Sequence, residues 1–206
     1  SLNSGRRTPH FKILLNLKTL NILIVTVNQT PIIWFTGMSG SGKSTLSIEL
    51  KKQLQDKGYG VHIIDGDTVR DNYTSKLGFC RQDVLTNNLN IAQKCLELRK
   101  TCDVILVPVI SPYQEVRGKV RKLLNPNFHL IYLTTTLDNL KKRDTKGLYA
   151  LADSGVIKDL IGFSKETPYE APDDAELTIN TTDQKTIMES TIQLVNYIQS
   201  HGELLP

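Results

Sequence analysis

Pro31-Ile32-Ile33-Trp34-Phe35-Thr36-Gly37-Met38-Ser39-Gly40-Ser41-Gly42-Lys43-Ser44-Thr45 is the stretch from which the rest of this chain can be read. Four apolar residues run into a glycine-rich turn, the pattern of a buried parallel strand. Leu46, Leu50 and Leu54 follow at i, i+4 and i+8, so 43–57 reads as a helix, and Gly58 stands where such a helix stops. Gly37 to Ser44 also fits G-x-x-x-x-G-K-[ST], in the strand-loop-helix context that motif requires. Glycines let the backbone curl until successive N–H groups point at phosphate oxygens, and the new helix adds its positive end. The expected phosphate cradle is Gly37, Ser39, Gly40, Ser41, Gly42, Lys43, Ser44 and Thr45, with Lys43 reaching the β and γ phosphates and the Ser44 hydroxyl ligating Mg²⁺. An Asn-Lys-x-Asp guanine-reading motif is absent from the chain, which disfavours a GTPase.

Moving outward, the same alternation repeats. Apolar runs at 61–64, 104–110, 130–133 and 177–179 read as further strands, with helical stretches at 87–99, 115–124, 137–143 and 185–199. Strands alternating with helices predict an α/β fold of the P-loop NTPase type. It is a three-layer sandwich around a mainly parallel five-strand sheet, with ligands beyond the C-terminal strand ends. Residues 144–174 show no period and carry Gly147, Gly155, Gly162, Pro168 and Pro172, as a lid would. Two parts are expected: a basic appendage at 1–30, to which no role is assigned, and a kinase domain at 31–206.

The 206 residues suit one α/β domain, and 39% hydrophobic with 22% charged residues is ordinary globular composition. The net charge of +4 is local, because residues 1–30 hold Arg6, Arg7, Lys12 and Lys18 and no acid, leaving the remainder neutral. A basic nucleic-acid-binding face is therefore not expected. Cys80, Cys95 and Cys102 cannot all pair and show no metal spacing, which suits a reducing, cytoplasmic setting. The apolar run at 11–27 is broken by Lys12, Asn16, Lys18 and Asn21, short of the roughly 18 uninterrupted residues of a membrane span. It also lacks a small-x-small cleavage site, so neither a membrane anchor nor a secretory signal is expected.

Asp65-Gly66-Asp67 ends the second strand at the phosphate end of the sheet. One acid there can serve Mg²⁺ and the other can take a proton from an attacking hydroxyl; the plain alternative is a solvated turn. With these motifs in place, the chain resembles the adenylylsulfate kinases from about Ile32 to Thr182. The resemblance rests on the strand and phosphate loop, then Asp65-Gly66-Asp67-Thr68-Val69-Arg70 and Leu77-Gly78-Phe79. It continues through Ile110-Ser111-Pro112-Tyr113, Arg143-Asp144-Thr145-Lys146-Gly147-Leu148-Tyr149 and Pro168-Tyr169-Glu170-Ala171-Pro172. It implies transfer of the γ-phosphoryl of MgATP to the 3′-hydroxyl of adenylyl sulfate, giving 3′-phosphoadenylyl sulfate for sulfate assimilation, by a homodimer. It further implies Asp67 as the acid acting on that hydroxyl and Arg70, Phe79, Asn87, Ile110, Ser111 and Lys146 as the lining of the acceptor site. Ser111 falls where the family pattern has been read as a phosphoserine; direct in-line transfer needs only positioning and charge neutralisation, which reads it as a structural hydroxyl.

The residue types agree with those roles. Arg70 offers a bidentate fork and Lys146 a mobile point charge to an anionic nucleotide, and Phe79 offers a flat face to a base. Arg143 can neutralise γ-phosphate charge from the lid side. A surface pairing of Arg70 with Asp71, a core place for Phe79, and solvated roles for Lys146 and Arg143 are the plain alternatives.

The chain also departs from the family pattern Gly-Phe-Ser-x-x-Asp-Arg-x-x-Asn-Ile-Arg-Arg. Val84 stands in place of its first arginine, Leu89 and Asn90 replace the last two, Gln114 follows Ser-Pro-Tyr where Arg is common, and Leu160 replaces a phenylalanine facing adenine. Three readings follow: an adenylylsulfate kinase in which Arg81 takes over from the lost arginine; a relative phosphorylating another small nucleotide, such as cytidine diphosphoramidate in surface-polysaccharide synthesis; or an ATP-binding interaction module without transfer.

Overall fold

The computed structural model describes residues 30–71, 78, 80–182 and 185–201; the appendage at 1–29 and Phe79 lie outside the described residues. Thr30, assigned above to the appendage, is buried, with its hydroxyl between the carbonyls of Arg99 and Cys102 at 2.6 and 2.9 Å.

In chain order the elements are β1 (Ile32–Thr36), α1 (Lys43–Asp56), β2 (Val61–Ile63), α2 (Gly66–Asp71), α3 (Arg81–Leu98), β3 (Val104–Pro108), α4 (Gln114–Leu124), β4 (Phe128–Thr134), α5 (Leu137–Arg143), α6 (Leu148–Asp153), β5 (Leu177–Asn180) and α7 (Ile187–Ser200). The strands form one sheet in the order β2-β3-β1-β4-β5 with every pairing parallel. Strand alternation divides β1 between two cores. Ile33 and Phe35 face Leu46, Leu50 and Leu54 of α1 and Leu194 and Ile198 of α7. Ile32 and Trp34 face Ile91, Ala92 and Cys95 of α3 and Val120 and Leu124 of α4. Helices thus cover both faces of the sheet, as parallel pairing demands.

The first helix ends as its sequence indicates. Gly58 takes φ 88°, its N–H donates to Gln55 O at 2.9 Å and that of Tyr59 to Leu54 O at 3.1 Å, a Schellman closure. α3 starts six residues earlier than the apolar period suggests, because the Cys80 sulfur accepts from the Asp83 N–H at 3.5 Å and opens the helix over a polar first turn. The connections after β1, β2 and β3 all emerge at one edge of the sheet. β1 is its central strand, with the chain passing to β3 on one side and β4 on the other, so a crevice opens there. Among the described residues no helix is long and apolar enough to cross a membrane.

Candidate functional site

That crevice is a cavity of about 1020 Å³, lined by the phosphate loop, the Asp65–Asp67 turn, α3, the segment after β3, and residues of the 144–174 region. Its volume is at the upper end of ordinary small-molecule sites, room for two nucleotides.

On the loop side, backbone geometry decides which residues fit. Gly37 has φ 149°, and a Cβ there would stand 2.6 Å from Leu133 O and 2.8 Å from the Ser41 hydroxyl. No side chain is tolerated so close to a carbonyl. The loop is then tied to its surroundings from two directions: the Tyr149 hydroxyl donates to Ser39 O at 2.8 Å, and the Thr181 hydroxyl to Ser41 O at 3.0 Å. Burial, with Asp144 adding to it, pushes the Tyr149 phenol up to about 12, so it stays a donor at neutral pH. Lys43 is buried and its Nζ donates to Gly37 O and Met38 O, both at 2.8 Å, and to Ser41 Oγ at 3.3 Å. Burial lowers its ammonium from 10.5 to about 7; Lys146 adds to the fall and Asp67 opposes it. Arg143 closes α5, donates to Thr181 O and lines the cavity.

Ser44 stands in the first turn of α1 and Asp65 follows β2, and both line the cavity. Asp65 Oδ1 accepts from the N–H groups of Asp67 and Thr68 at 2.9 and 3.1 Å, capping α2, so only Oδ2 is left for other work. One hydroxyl and one carboxylate oxygen form a sparse hard-oxygen set, which suits Mg²⁺ because that ion keeps several waters and takes phosphate oxygens. Among the described residues no group of three or more His, Cys, Asp or Glu could hold a metal by itself.

Across the cavity, Asp67 stands on α2 with Lys146 Nζ 3.0 Å from its Oδ2, both side chains largely exposed. Arg70, one turn on, donates to Gly78 O at 2.8 Å. Asn87 lines the wall, 3% exposed, its Oδ1 without a partner among the described residues. Ile110 and Ser111 follow β3 on the same wall, and Ser111 has the left-handed φ of 44°. The structural bonds of Ser111 run through its carbonyl, which accepts from Arg117 Nη1 at 2.8 Å and the Thr36 hydroxyl at 3.2 Å; its own hydroxyl is buried without a partner among the described residues. Leu160 lines the cavity but packs mainly with Leu140 and Tyr149.

Val84 is 2% exposed in an apolar cluster with Tyr113, Val116 and Ile161. Arg81 does not replace the missing cation. Its guanidinium lies 4.0 Å over the Tyr113 ring, bonds Glu170 at 2.6 Å and reaches Glu115 at 3.9 Å. It borders a separate cavity of about 320 Å³ and is not among the residues lining the large one. Glu170 is shared between Arg81 and the Gln114 N–H at 2.6 Å; burial raises its carboxyl, and these two donors outweigh burial and hold it below the usual range. Arg117, 1% exposed, completes the link, donating to Glu170 O at 2.7 Å as well as to Ser111 O.

Sequence reasoning passed over Tyr149, Thr181 and Arg117. Tyr149 closes one of the quoted motifs, which was its only signal; Thr181 acts through the carbonyl of Ser41, 140 residues away, and Arg117 links the carbonyls of Ser111 and Glu170, the second 53 residues away.

The sequence model of the adenylylsulphate kinase family matches residues 29–180. The adenylyl-sulfate kinase of Staphylococcus epidermidis is 39% identical over 175 residues, covering 84% of this chain and 86% of that protein. That of Clostridium kluyveri is 38% identical over 167 residues, covering 81% and 80%. Among solved structures, the Mycobacterium tuberculosis APS kinase CysC in complex with AMPPNP and APS superposes with a TM-score of 0.77 at 30% identity, over 83% of this chain and 98% of that one.

Proposed function

The chain belongs to the adenylylsulphate kinase family, and on that premise we propose that it moves the γ-phosphoryl group of ATP onto the 3′-hydroxyl of adenylyl sulfate, giving 3′-phosphoadenylyl sulfate and ADP. The observation that carries this is one cavity with a phosphate loop on one side and the Asp67–Lys146 pair on the other. The loop N–H groups from Gly37 to Thr45 and the start of α1 hold the phosphates of ATP. Lys43 gives up its contacts with loop carbonyls for the β and γ phosphates, whose charge favours its ammonium form. Ser44 and Asp65, together with the nucleotide, would hold Mg²⁺, which when bound would supply charge neutralisation at those phosphates.

The acceptor enters on the α2 and α3 side, against Arg70, Asn87, Ile110 and Ser111, with Phe79 as the face for its base. Asp67 takes the 3′-hydroxyl proton as that oxygen bonds phosphorus and the bond to the leaving ADP oxygen breaks. Lys146 keeps Asp67 in place and offers its charge to the acceptor anion, and Arg143 neutralises the transferring group from the α5 side. We propose that residues 144–174 act as the lid. We also propose a homodimer in a reducing, cytoplasmic setting, as the resemblance and the free thiols suggest; sedimentation at micromolar concentration checks the first. The activity itself is tested by ADP release with MgATP: saturable release that depends on adenylyl sulfate supports the assignment, and release indifferent to it overturns the assignment.

A further inference from the structure

The buried stripe of α3 runs Val84, Asn87, Asn88, Ile91, Ala92 and Cys95. Four of these are apolar; the two carboxamides interrupt the stripe where the helix passes the cavity, and Val84, Asn87 and Asn88 line it together at i, i+3 and i+4. Asn in a helix interior is unfavourable, and a buried acceptor without a partner more so. Asn88 is 3% exposed and its Nδ2 donates to Val84 O at 2.9 Å. That bond settles which way the carboxamide points, since a carbonyl can only accept. Its Oδ1 is the end left over, and it has no partner among the described residues. The same is true of Asn87 Oδ1 and of the Ser111 hydroxyl on this wall. No cation accompanies them from α3, because Val84 is apolar and Arg81 is held by Glu170.

We propose that Asn88 is a specificity-determining residue of the acceptor site, its Oδ1 accepting a hydrogen bond from an uncharged donor of the acceptor nucleotide, either the exocyclic amine of the base or a ribose hydroxyl. This deepens the functional reading above and rests on it. The family pattern quoted above has Ile at this position, where no such bond is possible, so the contact departs from that pattern.

The test measures binding by calorimetry in the presence of MgADP, and turnover with MgATP, for three acceptors: adenylyl sulfate, the inosine analogue lacking the 6-amino group, and the 2′-deoxy analogue. Wild type is expected to prefer adenylyl sulfate over one of the two by about tenfold, the scale of one buried hydrogen bond, and which one identifies the donor. In Asn88→Leu, folded by circular dichroism, that preference falls to parity while the KM for ATP holds. Asn88→Ala replaces it should leucine prove too bulky to fold. Equal affinity of wild type for all three acceptors overturns the proposal. So does a variant that weakens all three alike, which is the mark of a merely structural carboxamide. Adenylyl sulfate that binds with this discrimination but is not phosphorylated would instead overturn the assigned activity and leave Asn88 standing; no binding of any acceptor overturns both.

Discussion

The two halves of the cavity are finished to different degrees. On the phosphate-loop side every tether is in place: Lys43 has three acceptors, and Tyr149 and Thr181 hold the carbonyls of Ser39 and Ser41. On the acceptor side, Asn87 Oδ1, Asn88 Oδ1 and Ser111 Oγ are buried without partners among the described residues. The phosphate half is made of backbone, whose N–H groups suit any nucleoside triphosphate. Side-chain atoms make the acceptor half, and they gain partners only from the right ligand, so that half is free to diverge while the loop is not. Buried polar atoms left unpaired cost stability, which makes their clustering on one wall informative about binding.

Breaking the chemistry where the halves meet gives the largest effect. Asp67→Asn should lower kcat by about 10²–10⁴-fold, the range of a general base, with ATP affinity retained; stopped-flow or steady-state kinetics decides. A mutant within about threefold of wild type would remove Asp67 from the proton path. Next comes the buried link behind the acceptor wall. Arg117→Met leaves Glu170 O without its Arg117 donor and Ser111 O with the Thr36 hydroxyl alone, and should cost about 3 kcal/mol in a denaturant melt, two charged hydrogen bonds' worth. The KM for adenylyl sulfate should rise more than that for ATP.

Lys43 gives the loop half a pH signature. Its ammonium sits at about 7 in the free protein, and phosphate charge raises it on binding. ATP binding should therefore take up protons, approaching about one per ATP near pH 8 and vanishing well below pH 7, with affinity falling as pH rises across that window. Calorimetry in buffers of different ionisation enthalpy reads the uptake; none at pH 8 contradicts it. The same group makes the free fold more stable as pH rises from about 7 toward 10.5, since only the unfolded chain holds the proton there. The smallest effect belongs to Arg81→Ala. A half-exposed ion pair and a cation–π contact together are worth about 1 kcal/mol, and the KM for adenylyl sulfate should move less than about threefold. A rise above about tenfold would mean that Arg81 does reach the acceptor and that the two halves are less different than described.

Much of the fold was legible because its signals are local and strong. The Ile32–Phe35 run, the Leu46-Leu50-Leu54 period and Gly58 fixed β1 and α1, and the parallel five-strand sheet followed from the alternation. The six-residue helices α2 and α6 escaped notice because neither is long enough to show a period; each is started by a carboxylate, Asp65 for α2 and Asp144 for α6, whose oxygens accept from the Tyr149 and Ala150 N–H groups at 3.1 and 3.0 Å. In the site, the phosphate loop and the Asp65–Asp67 turn could be read as motifs. The fate of Arg81 could not, since it depends on Glu170, 89 residues away in the chain. Arg117 was hidden in the same way: besides the Gln114 side chain one turn back, its partners are the backbone carbonyls of Ser111 and Glu170, which carry no sequence signal.

The most direct test is a competition. Wild-type protein with MgATP is given an equimolar mixture of adenylyl sulfate and other small nucleotide alcohols, cytidine diphosphate derivatives among them, and the products are weighed by mass spectrometry. Phosphate should appear on adenylyl sulfate, at its 3′ position. A phosphate carried mainly by another nucleotide would contradict the account, showing an acceptor half retuned away from the family's substrate behind an unchanged phosphate loop.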